Sequence, residues 1–377
     1  MQRATERLKE ISRDPLRFLK ATKGEKPLIG VTPGDVPHEL ITAAGLHPVV
    51  VFGTNEPVKF AGALMPDNTC SLAKSCLELA LNQGRDLFDG FVVSQLDDTT
   101  QHLSDIWERR SVGKFFHKFL PPRQLSRPSA FEWFRKELER FKGALERFIG
   151  RRIQEADLWN AIKAYNRNRR LLAELYDLKR KKPGLLGNRL FFDIVKASFY
   201  MEKDEHSGLL EEVLEDLKGK KAVSEELIPI ALAGIVVEPQ GIWELFDEVG
   251  LNVVCDNLLS CSRYITSFVP EEGDPLEALT RAHFQKPNFS PIHDSPWRMI
   301  DDLVEMVKAY GAKGLIYIHL QYCESQDFDL PDIKRRMRLE GIPMLVLTTE
   351  FQTKHLSLMK TRIEAFKESV LEGKHEQ

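Results

Sequence analysis

The chain has 377 residues, 42% of them hydrophobic and 29% charged, with a formal net charge of −3. This length exceeds what one compact core usually organises, so two or three domains are expected, and the charge balance gives no reason to expect nucleic acid as a partner. Five cysteines do not indicate a disulfide framework in so long a chain, no apolar run reaches the roughly 18–20 residues that cross a membrane, and the charged start lacks the apolar core of a signal peptide, which leaves the cytoplasm as the expected location.

Residues 1–26 are predicted to form a polar helical segment, and residues 27–128 alternate between strand and helix signals. Short apolar runs that end in turn residues predict strands at 28–33, 47–53 and 88–94. Helices are predicted over 37–45, where Pro37 stands near the start and Gly45 after the end, and over 71–82. Strands that alternate with helices at this spacing indicate a parallel α/β domain, which contains Cys70.

Residues 129–222 differ because they carry almost no strand signal. Aromatic and aliphatic side chains recur there at helical spacing, which is typical of helices that pack on a core. A mostly helical middle domain is therefore predicted.

The α/β pattern returns over residues 223–377, a predicted second α/β domain that contains Cys323. Strands are predicted at 227–234, 252–256, 314–320 and 342–347, and helices over 241–250, 331–340 and 361–371. The expected fold class is thus α/β, with two parallel-sheet domains of Rossmann or flavodoxin type on either side of the helical domain.

Cys70 and Cys323 each follow a strand-and-turn signal, in opposite halves of the chain. Open α/β sheets bind ligands beyond the carboxyl ends of their strands, and thiolates gathered from several loops are how proteins hold iron–sulfur clusters. Two unrelated buried thiols, behaving as small hydrophobes, are the alternative. From the residues alone, both interpretations stay open.

Three further residues are candidates for substrate binding. His38 lies on the first loop after a strand, where a polar contact with a substrate is expected, and Arg263 and Arg298 are of the residue type that forms bidentate pairs with phosphate. A surface ion pair is the alternative for either arginine. The sequence contains neither of the common glycine-rich phosphate loops, so ATP binding by this chain is not expected.

Several blocks, taken together and in order, resemble the subunits of the (R)-2-hydroxyacyl-CoA dehydratase and benzoyl-CoA reductase family. In the first block, a Pro-His-Glu-Leu helix ends in Ala-Ala-Gly and is followed by a proline. Another block runs into a Ser-Arg-Tyr signature, and a late block ends at Cys323. The blocks lie at residues 37–49, 89–97, 254–264, 314–324, 341–345 and 361–366.

The resemblance implies a heterodimer with a homologous larger subunit, and an acyl-CoA thioester as substrate. It also implies a 4Fe–4S cluster held by three cysteines, and a separate ATP-hydrolysing iron–sulfur activator protein that injects one electron. Dehydration of a 2-hydroxyacyl-CoA and reduction of benzoyl-CoA both remain open. Either reaction needs a strongly reducing electron, and cluster potentials reach roughly −700 mV.

By the same resemblance Cys70 matches the first cluster ligand and Cys323 the third, but Leu96 stands where the second cysteine is expected. Three explanations remain. Cys76 replaces the missing ligand; or Ser94, Asp97 or a water completes an altered site; or the cluster is absent. In the last case the chain is a non-catalytic scaffold or electron-relay subunit of such a complex.

Overall fold

The structure, a computed structural model, describes residues 2–54, 56–110, 113–221, 226–266, 268–292, 298–353 and 356–373. Its strands are β1 (Leu28–Val31), β2 (His47–Val50), β3 (Gly90–Ser94), β4 (Phe115–Phe119), β5 (Ile228–Gly234), β6 (Leu251–Asn257), β7 (Leu315–Leu320) and β8 (Met344–Thr349). Its helices are α1 (Gln2–Arg13), α2 (Pro15–Ala21), α3 (His38–Ala43), α4 (Ser71–Leu81), α5 (Asp98–Arg109), α6 (Pro128–Ile149), α7 (Glu155–Lys181), α8 (Asn188–Ala197), α9 (Lys203–Lys218), α10 (Gly241–Val249), α11 (Ser262–Ile265), α12 (Pro275–Gln285), α13 (Arg298–Ala309), α14 (Glu324–Leu339) and α15 (Leu356–Glu372).

The first sheet is parallel, with strand order β2-β1-β3-β4. Successive residues of β3 enter different cores: Phe91 and Val93 pack on one face of the sheet and Val92 on the other. Burial on both faces explains why the sequence of these strands is almost continuously apolar. The strand order reverses between β1 and β3, and ligands of such sheets bind in the crevice at that point.

The second sheet is also parallel and repeats the order, β6-β5-β7-β8. Ile316 and Ile318 of β7 face one core while Leu315 and Tyr317 face another. Its reversal point lies between β5 and β7. The predicted fold class, two parallel α/β sheets with helical regions, is confirmed.

The middle of the chain is helical, as predicted. α6 buries its aromatic stripe, including Phe134 and Phe141, and the 27-residue α7 packs against α3 and α9. The core that contains α4, α8 and α9 also takes in Leu320 and Cys323 from the second half. The domain limits drawn from the sequence remain predictions, and the one between residues 222 and 223 lies outside the described residues.

Several elements differ from expectation. Helix α14 begins at Glu324 rather than at Pro331, which lies inside it. An interior proline costs the helix a hydrogen bond and some strain, but the acidic Glu324 and Asp327 in the first turn favour the early start. Strand β4 and helices α5, α12 and α13 were not predicted. Within the described ranges, no helix combines the length and the apolar character that crossing a membrane requires.

Candidate functional site

Cys70 lies immediately before α4, and hydrogen bonds fix the position of that helix. The Ser75 hydroxyl accepts from the Thr54 N–H at 2.8 Å. Glu78 accepts from the Ala61 N–H, also at 2.8 Å. The Ser71 hydroxyl accepts from the N–H of Phe351, which follows β8, at 2.9 Å. The start of α4 is therefore attached to the second half of the molecule.

Cys323 lies immediately before α14, the helix that follows β7 of the second sheet. Gln326, in the first turn of α14, accepts from the Leu320 N–H at 2.8 Å and donates to the Ile318 carbonyl at 2.9 Å. The preceding residue, Tyr322, has a φ of 62°, so the chain turns sharply after β7 and directs Cys323 into the crevice.

Cys70 and Cys323 lie together where the two halves of the molecule meet, and we call this pair the thiol site. We call the space around it the crevice. The Cys70 and Cys323 side chains interact with each other, and both are buried. This contact lowers the pKa of Cys70, and the backbone N–H groups of Ala73 and Leu72 at the start of α4 add to the effect. The same contact raises the pKa of Cys323. The fold thus brings together two cysteines that lie 253 positions apart in the sequence, and their role as cluster ligands stays a prediction.

Asp97 brings a third helix start to the same place. Its Oδ1 accepts from the Thr100 N–H at 2.8 Å and caps α5. Its Oδ2 accepts from the Ser325 hydroxyl of α14 at 3.4 Å. Three helix N-termini, those of α4, α5 and α14, therefore converge on the thiol site. Because helix N-termini carry partial positive charge, the site favours anionic groups such as thiolates.

Leu96, at the expected second ligand, does not take part. Its side chain is 3% exposed and packs in an apolar cluster with Leu125, Phe289 and Ile292. The donors of the thiol site are thus two thiols in direct contact. Among the residues that the structure describes, no group of three His, Cys, Asp or Glu side chains is placed to hold a metal. A three-thiolate cluster does not fit this donor set.

Cys76, the alternative ligand, points elsewhere. Its thiol donates to the Val51 carbonyl at 2.9 Å, and burial raises its pKa. Cys76 lies six positions beyond Cys70 on α4, where its side chain packs toward the first sheet. Nothing in the sequence indicated this orientation, because helical spacing alone leaves both faces open.

A small polar cavity lies beside the crevice, beyond the carboxyl end of β1. We call it the inner cavity; its volume is about 70 Å³ and its lining includes His38 and Arg263, two of the predicted substrate-binding residues. Arg263 is not a surface residue: it is buried, lies 3.6 Å from Asp35 and donates to the Pro287 carbonyl. Burial lowers the pKa of His38 to about 3, so its imidazole is neutral at pH 7.

Charged side chains surround the inner cavity in pairs. Arg169 of α7 and Glu39 of α3 are 2.6 Å apart, and Lys286 and Asp35 are 3.1 Å apart. Burial alone would raise the pKa of Asp35, but the positive charges of Lys286 and Arg263 hold it well below its usual range. Asp35 is therefore ionised at neutral pH.

Arg298 lies apart from these residues and lines a larger cavity at the carboxyl end of β6. We call this the outer cavity; its volume is about 630 Å³, and its lining includes Arg180 and Asp256. Lys286 lines both cavities. The structure thus brings His38 and Arg263 together at the inner cavity and places Arg298 at the outer cavity. Lys286 lies between the two cavities.

Sequence reasoning missed Asp35, Arg169, His283 and Lys286, all of which line the inner cavity. Asp35 carried a usable signal, because it follows β1 at the carboxyl edge where ligand-binding loops occur. The other three come from helix α7 and from the end of α12, whose approach to β1 depends on tertiary packing. No local pattern marks them.

The sequence matches the family model described as "2-hydroxyglutaryl-CoA dehydratase, D-component" over residues 33–370. It is 27% identical to the beta subunit of (R)-2-hydroxyglutaryl-CoA dehydratase from Acidaminococcus fermentans, covering 97% of this chain and 98% of that one. It is 25% identical to the (R)-phenyllactyl-CoA dehydratase beta subunit of Clostridium sporogenes, covering 96% and 97%. It is 24% identical to one of the subunits of benzoyl-CoA reductase from Thauera aromatica, covering 87% of each.

Proposed function

The chain belongs to the 2-hydroxyglutaryl-CoA dehydratase D-component family, and we propose that it is one subunit of a multi-subunit iron–sulfur enzyme acting on an acyl-CoA thioester. The reaction is dehydration of a 2-hydroxyacyl-CoA or reduction of benzoyl-CoA. The observation that carries this proposal is the match over residues 33–370, because it spans both sheets and the helical region between them. Relatives that match over most of their length are subunits of 2-hydroxyacyl-CoA dehydratases or of benzoyl-CoA reductase.

We further propose that the complete 4Fe–4S cluster belongs to a homologous larger subunit. This chain offers Cys70 and Cys323 but places Leu96 in an apolar cluster, so its own donors fall one thiolate short of the expected set. An ATP-hydrolysing iron–sulfur activator supplies the electron to the complex. The absence of a glycine-rich phosphate loop from this sequence supports a separate protein in that role.

The two cavities support a role in binding the acyl-CoA. The outer cavity, about 630 Å³, is within the range of roughly 300–1,000 Å³ common for ligand pockets. Arg298 on its wall is of the type that binds phosphate groups such as those of CoA. The inner cavity, with His38 and Arg263, would take the acyl end, and Lys286 lies between the two.

A non-catalytic scaffold or electron-relay subunit is the second candidate. Two observations favour this scaffold role: Cys70 and Cys323 contact each other, and Leu96 is buried in an apolar cluster. Together they leave the thiol site without a third cysteine ligand. In that case the complex would need this chain for assembly, while acyl-CoA would bind only to the partner.

The test is to reconstitute the complex anaerobically from this chain, its larger homologue and the activator, and to measure ATP-dependent conversion of acyl-CoA. We expect turnover only when this chain is present, and Arg298→Glu to raise the KM for the thioester about tenfold through charge reversal. The matched control is Arg335→Glu on the exposed face of α14, which should leave the KM unchanged. Turnover without this chain would overturn the proposal, and an unchanged KM in Arg298→Glu would favour the scaffold.

A further inference from the structure

Strand β8 lies at one edge of the second sheet, and the outer side of its backbone is open. The Leu315 N–H of β7 donates to the Pro343 carbonyl at 2.9 Å, and the bonds between the two parallel strands continue from there on alternate residues of β8. The backbone N–H and C=O groups of Met344, Val346 and Thr348 therefore point away from β7. Such a row of outward groups can pair with the backbone of another chain.

The other three sheet edges are occupied by the protein itself. At each of them an outward backbone group is bonded to a different part of the chain: the Val50 N–H to the Phe199 carbonyl on β2, the Val253 N–H to Asn188 on β6, and the Lys118 carbonyl to Arg140 on β4. Among the described residues, the outer row of β8 receives a single hydrogen bond, from the exposed side chain of Arg362 to the Val346 carbonyl at 2.8 Å. The edge at β8 is thus the least covered of the four.

A groove of about 420 Å³ follows this edge, and we call it the β8 groove. Its walls come from α14, on one face of the sheet, and from α15, on the other. Met344, Leu345 and Val346 form its floor and are half-buried, whereas all six residues of β7 are buried. Strands of parallel sheets are normally covered on both faces, so the floor of the groove offers apolar surface that a further strand would cover.

The rim of the β8 groove is positively charged. Lys334 and Arg338 of α14 and Arg362 of α15 line it, all three are exposed, and its described lining contains no Asp or Glu. Within the described part of the chain, no carboxylate lies at ion-pair distance from any of these three cations, whereas Arg335 on the same helix pairs with Asp332 at 3.1 Å. An uncompensated set of cations attracts a partner of negative charge.

Backbone, floor and charge together decide between the candidate occupants. An extended peptide can pair with the outer row of β8 and lay alternate side chains on the apolar floor, as in other cases of strand addition. Carboxylates on the remaining side chains would then meet the cations of the rim. A second copy of this chain does not fit, because pairing two β8 edges would bring two sets of these cations together. Cations on an edge strand are a known protection against such self-pairing.

We propose that the β8 groove binds an extended, carboxylate-rich segment of another protein, which adds a strand to the second sheet beside β8. Its backbone pairs with Met344, Val346 and Thr348, and its carboxylates lie against Lys334 and Arg338. The residues that line the β8 groove are distinct from those that line the inner and outer cavities. The inference therefore stands apart from the proposed function.

The experiment titrates the full chain with a fluorescent synthetic peptide of about eight residues, long enough to span the strand, in which valine and glutamate alternate. One comparison peptide has lysine in place of glutamate, and another has proline at two adjacent central positions, which removes an N–H donor from each of its edges. Fluorescence anisotropy should show saturable binding of the Val-Glu peptide and none of the Val-Lys peptide. The proline peptide should bind at least about tenfold more weakly, because it loses backbone pairing. These comparisons use the unmodified protein.

Hydrogen–deuterium exchange and two variants then locate the site. The Val-Glu peptide should slow the exchange of residues 344–348 and leave that of β4 unchanged. Arg338→Glu should weaken binding of this peptide about fivefold to tenfold, because an attractive charge becomes a repulsive one. The matched control is Arg335→Glu on the same helix, which lies outside the groove lining and should change the affinity by less than about twofold because solvent screens it.

Equal binding of the Val-Glu and Val-Lys peptides, or of the Val-Glu and proline peptides, would overturn the inference. No binding of any peptide would do so as well, and would mean that the three cations only protect the edge. Equal losses in Arg338→Glu and Arg335→Glu would place the peptide elsewhere on the surface and contradict the assignment. A dimer of the unmodified chain that the Val-Glu peptide fails to dissociate, seen by size-exclusion chromatography, would make a second copy the occupant and overturn the choice of an acidic segment.

Discussion

Leu96 determines what the crevice between the sheets can hold. It follows β3 at the switch point of the first sheet, next to Asp97, which reaches the thiol site. Its side chain turns away into the cluster with Leu125, Phe289 and Ile292. The residue at the position where a second cysteine was expected therefore serves apolar packing.

Replacing Leu96 by cysteine should restore iron binding. Leu96→Cys supplies a third thiol next to Asp97, and cluster formation would turn this side chain out of the apolar cluster toward Cys70 and Cys323. We expect anaerobic reconstitution to yield about four irons and four sulfides per chain, against a far lower content in the unchanged protein. Iron and acid-labile sulfide analysis gives the readout. Leu125→Cys, in the same apolar cluster, is the control and should gain nothing; equal iron in both variants would show that uptake is adventitious.

Gly34 is required at its position because the loop after β1 packs closely against the last residue of β3 and the loop that follows it. A Cβ on Gly34 would lie 2.8 Å from the Ser94 Cβ and 3.1 Å from a methyl carbon of Leu96. Gly34→Ala should lower the free energy of unfolding by about 1–3 kcal/mol through overpacking, as measured by urea denaturation. Gly208→Ala in α9, where no atom of the described residues lies within 4 Å of the added carbon, should instead raise it by about 0.5–1 kcal/mol. Similar effects of both changes would contradict the close approach.

At the scale of elements, α7 connects the helical region to the first sheet through a buried ion pair. Arg169 lies 2.6 Å from Glu39 of α3, with both side chains buried, and its guanidinium lies over the rings of Tyr165 and Tyr264. An ion pair out of water stabilises little by itself, but removal of one partner leaves the other charge uncompensated.

Arg169→Met should therefore lower the free energy of unfolding by about 3–5 kcal/mol. The control on the same helix is Arg167→Met, whose partner Glu211 lies at 2.9 Å in a half-exposed pair. That change should cost about 0–1 kcal/mol. Urea unfolding of the unchanged protein and the two variants measures these losses in the free energy of unfolding. A loss below about 1 kcal/mol for Arg169→Met would contradict the role given to the Arg169–Glu39 pair.

Helix α9 contains a buried histidine, His206, that makes the free energy of unfolding depend on pH. Burial lowers the pKa of His206 to about 3, against 6.5 for an ordinary histidine. Below pH 6.5 the unfolded chain takes up a proton at this residue and the folded chain does not, so stability falls as the pH falls toward 3, by up to about 1.4 kcal/mol per pH unit.

Between about pH 7 and 5.5, the unchanged protein should lose about 1 kcal/mol more stability than His206→Gln, as measured by urea unfolding at each pH. Between about pH 8 and 7 the two proteins should change alike, because neither state takes up this proton. Parallel behaviour over the whole range would mean that His206 is protonated in the folded protein.

The accuracy of the sequence predictions varied between elements for physical reasons. Strands β1, β2, β3 and β7 are buried on both faces, and their continuous apolar runs are visible locally. Strand β4 lies at a sheet edge, where its Phe-Phe-His-Lys-Phe pattern alternates and is easily passed over. The meeting of Cys70 and Cys323 followed from the rule that ligand-binding loops gather at carboxyl edges. The inner cavity could not be predicted from this rule, because α7 and α12 reach it through packing that no local pattern encodes.

At the scale of the molecule, two sheets of the same strand order face one another across a shared crevice. The Phe351–Ser71 and Asp97–Ser325 hydrogen bonds and the thiol contact all join the halves there. The crevice offers two thiols where a cluster of the expected kind needs three, and a polar cavity lies beside it. This combination supports a subunit that holds substrate and framework while its partner carries the cluster.

The most direct test of this account is native mass spectrometry of the anaerobically purified complex, which weighs each subunit with whatever it carries. We predict that this chain has the mass of its polypeptide alone and that the larger subunit is heavier by about four irons and four sulfides. A cluster mass on this chain that disappears in Cys70→Ser would contradict the account.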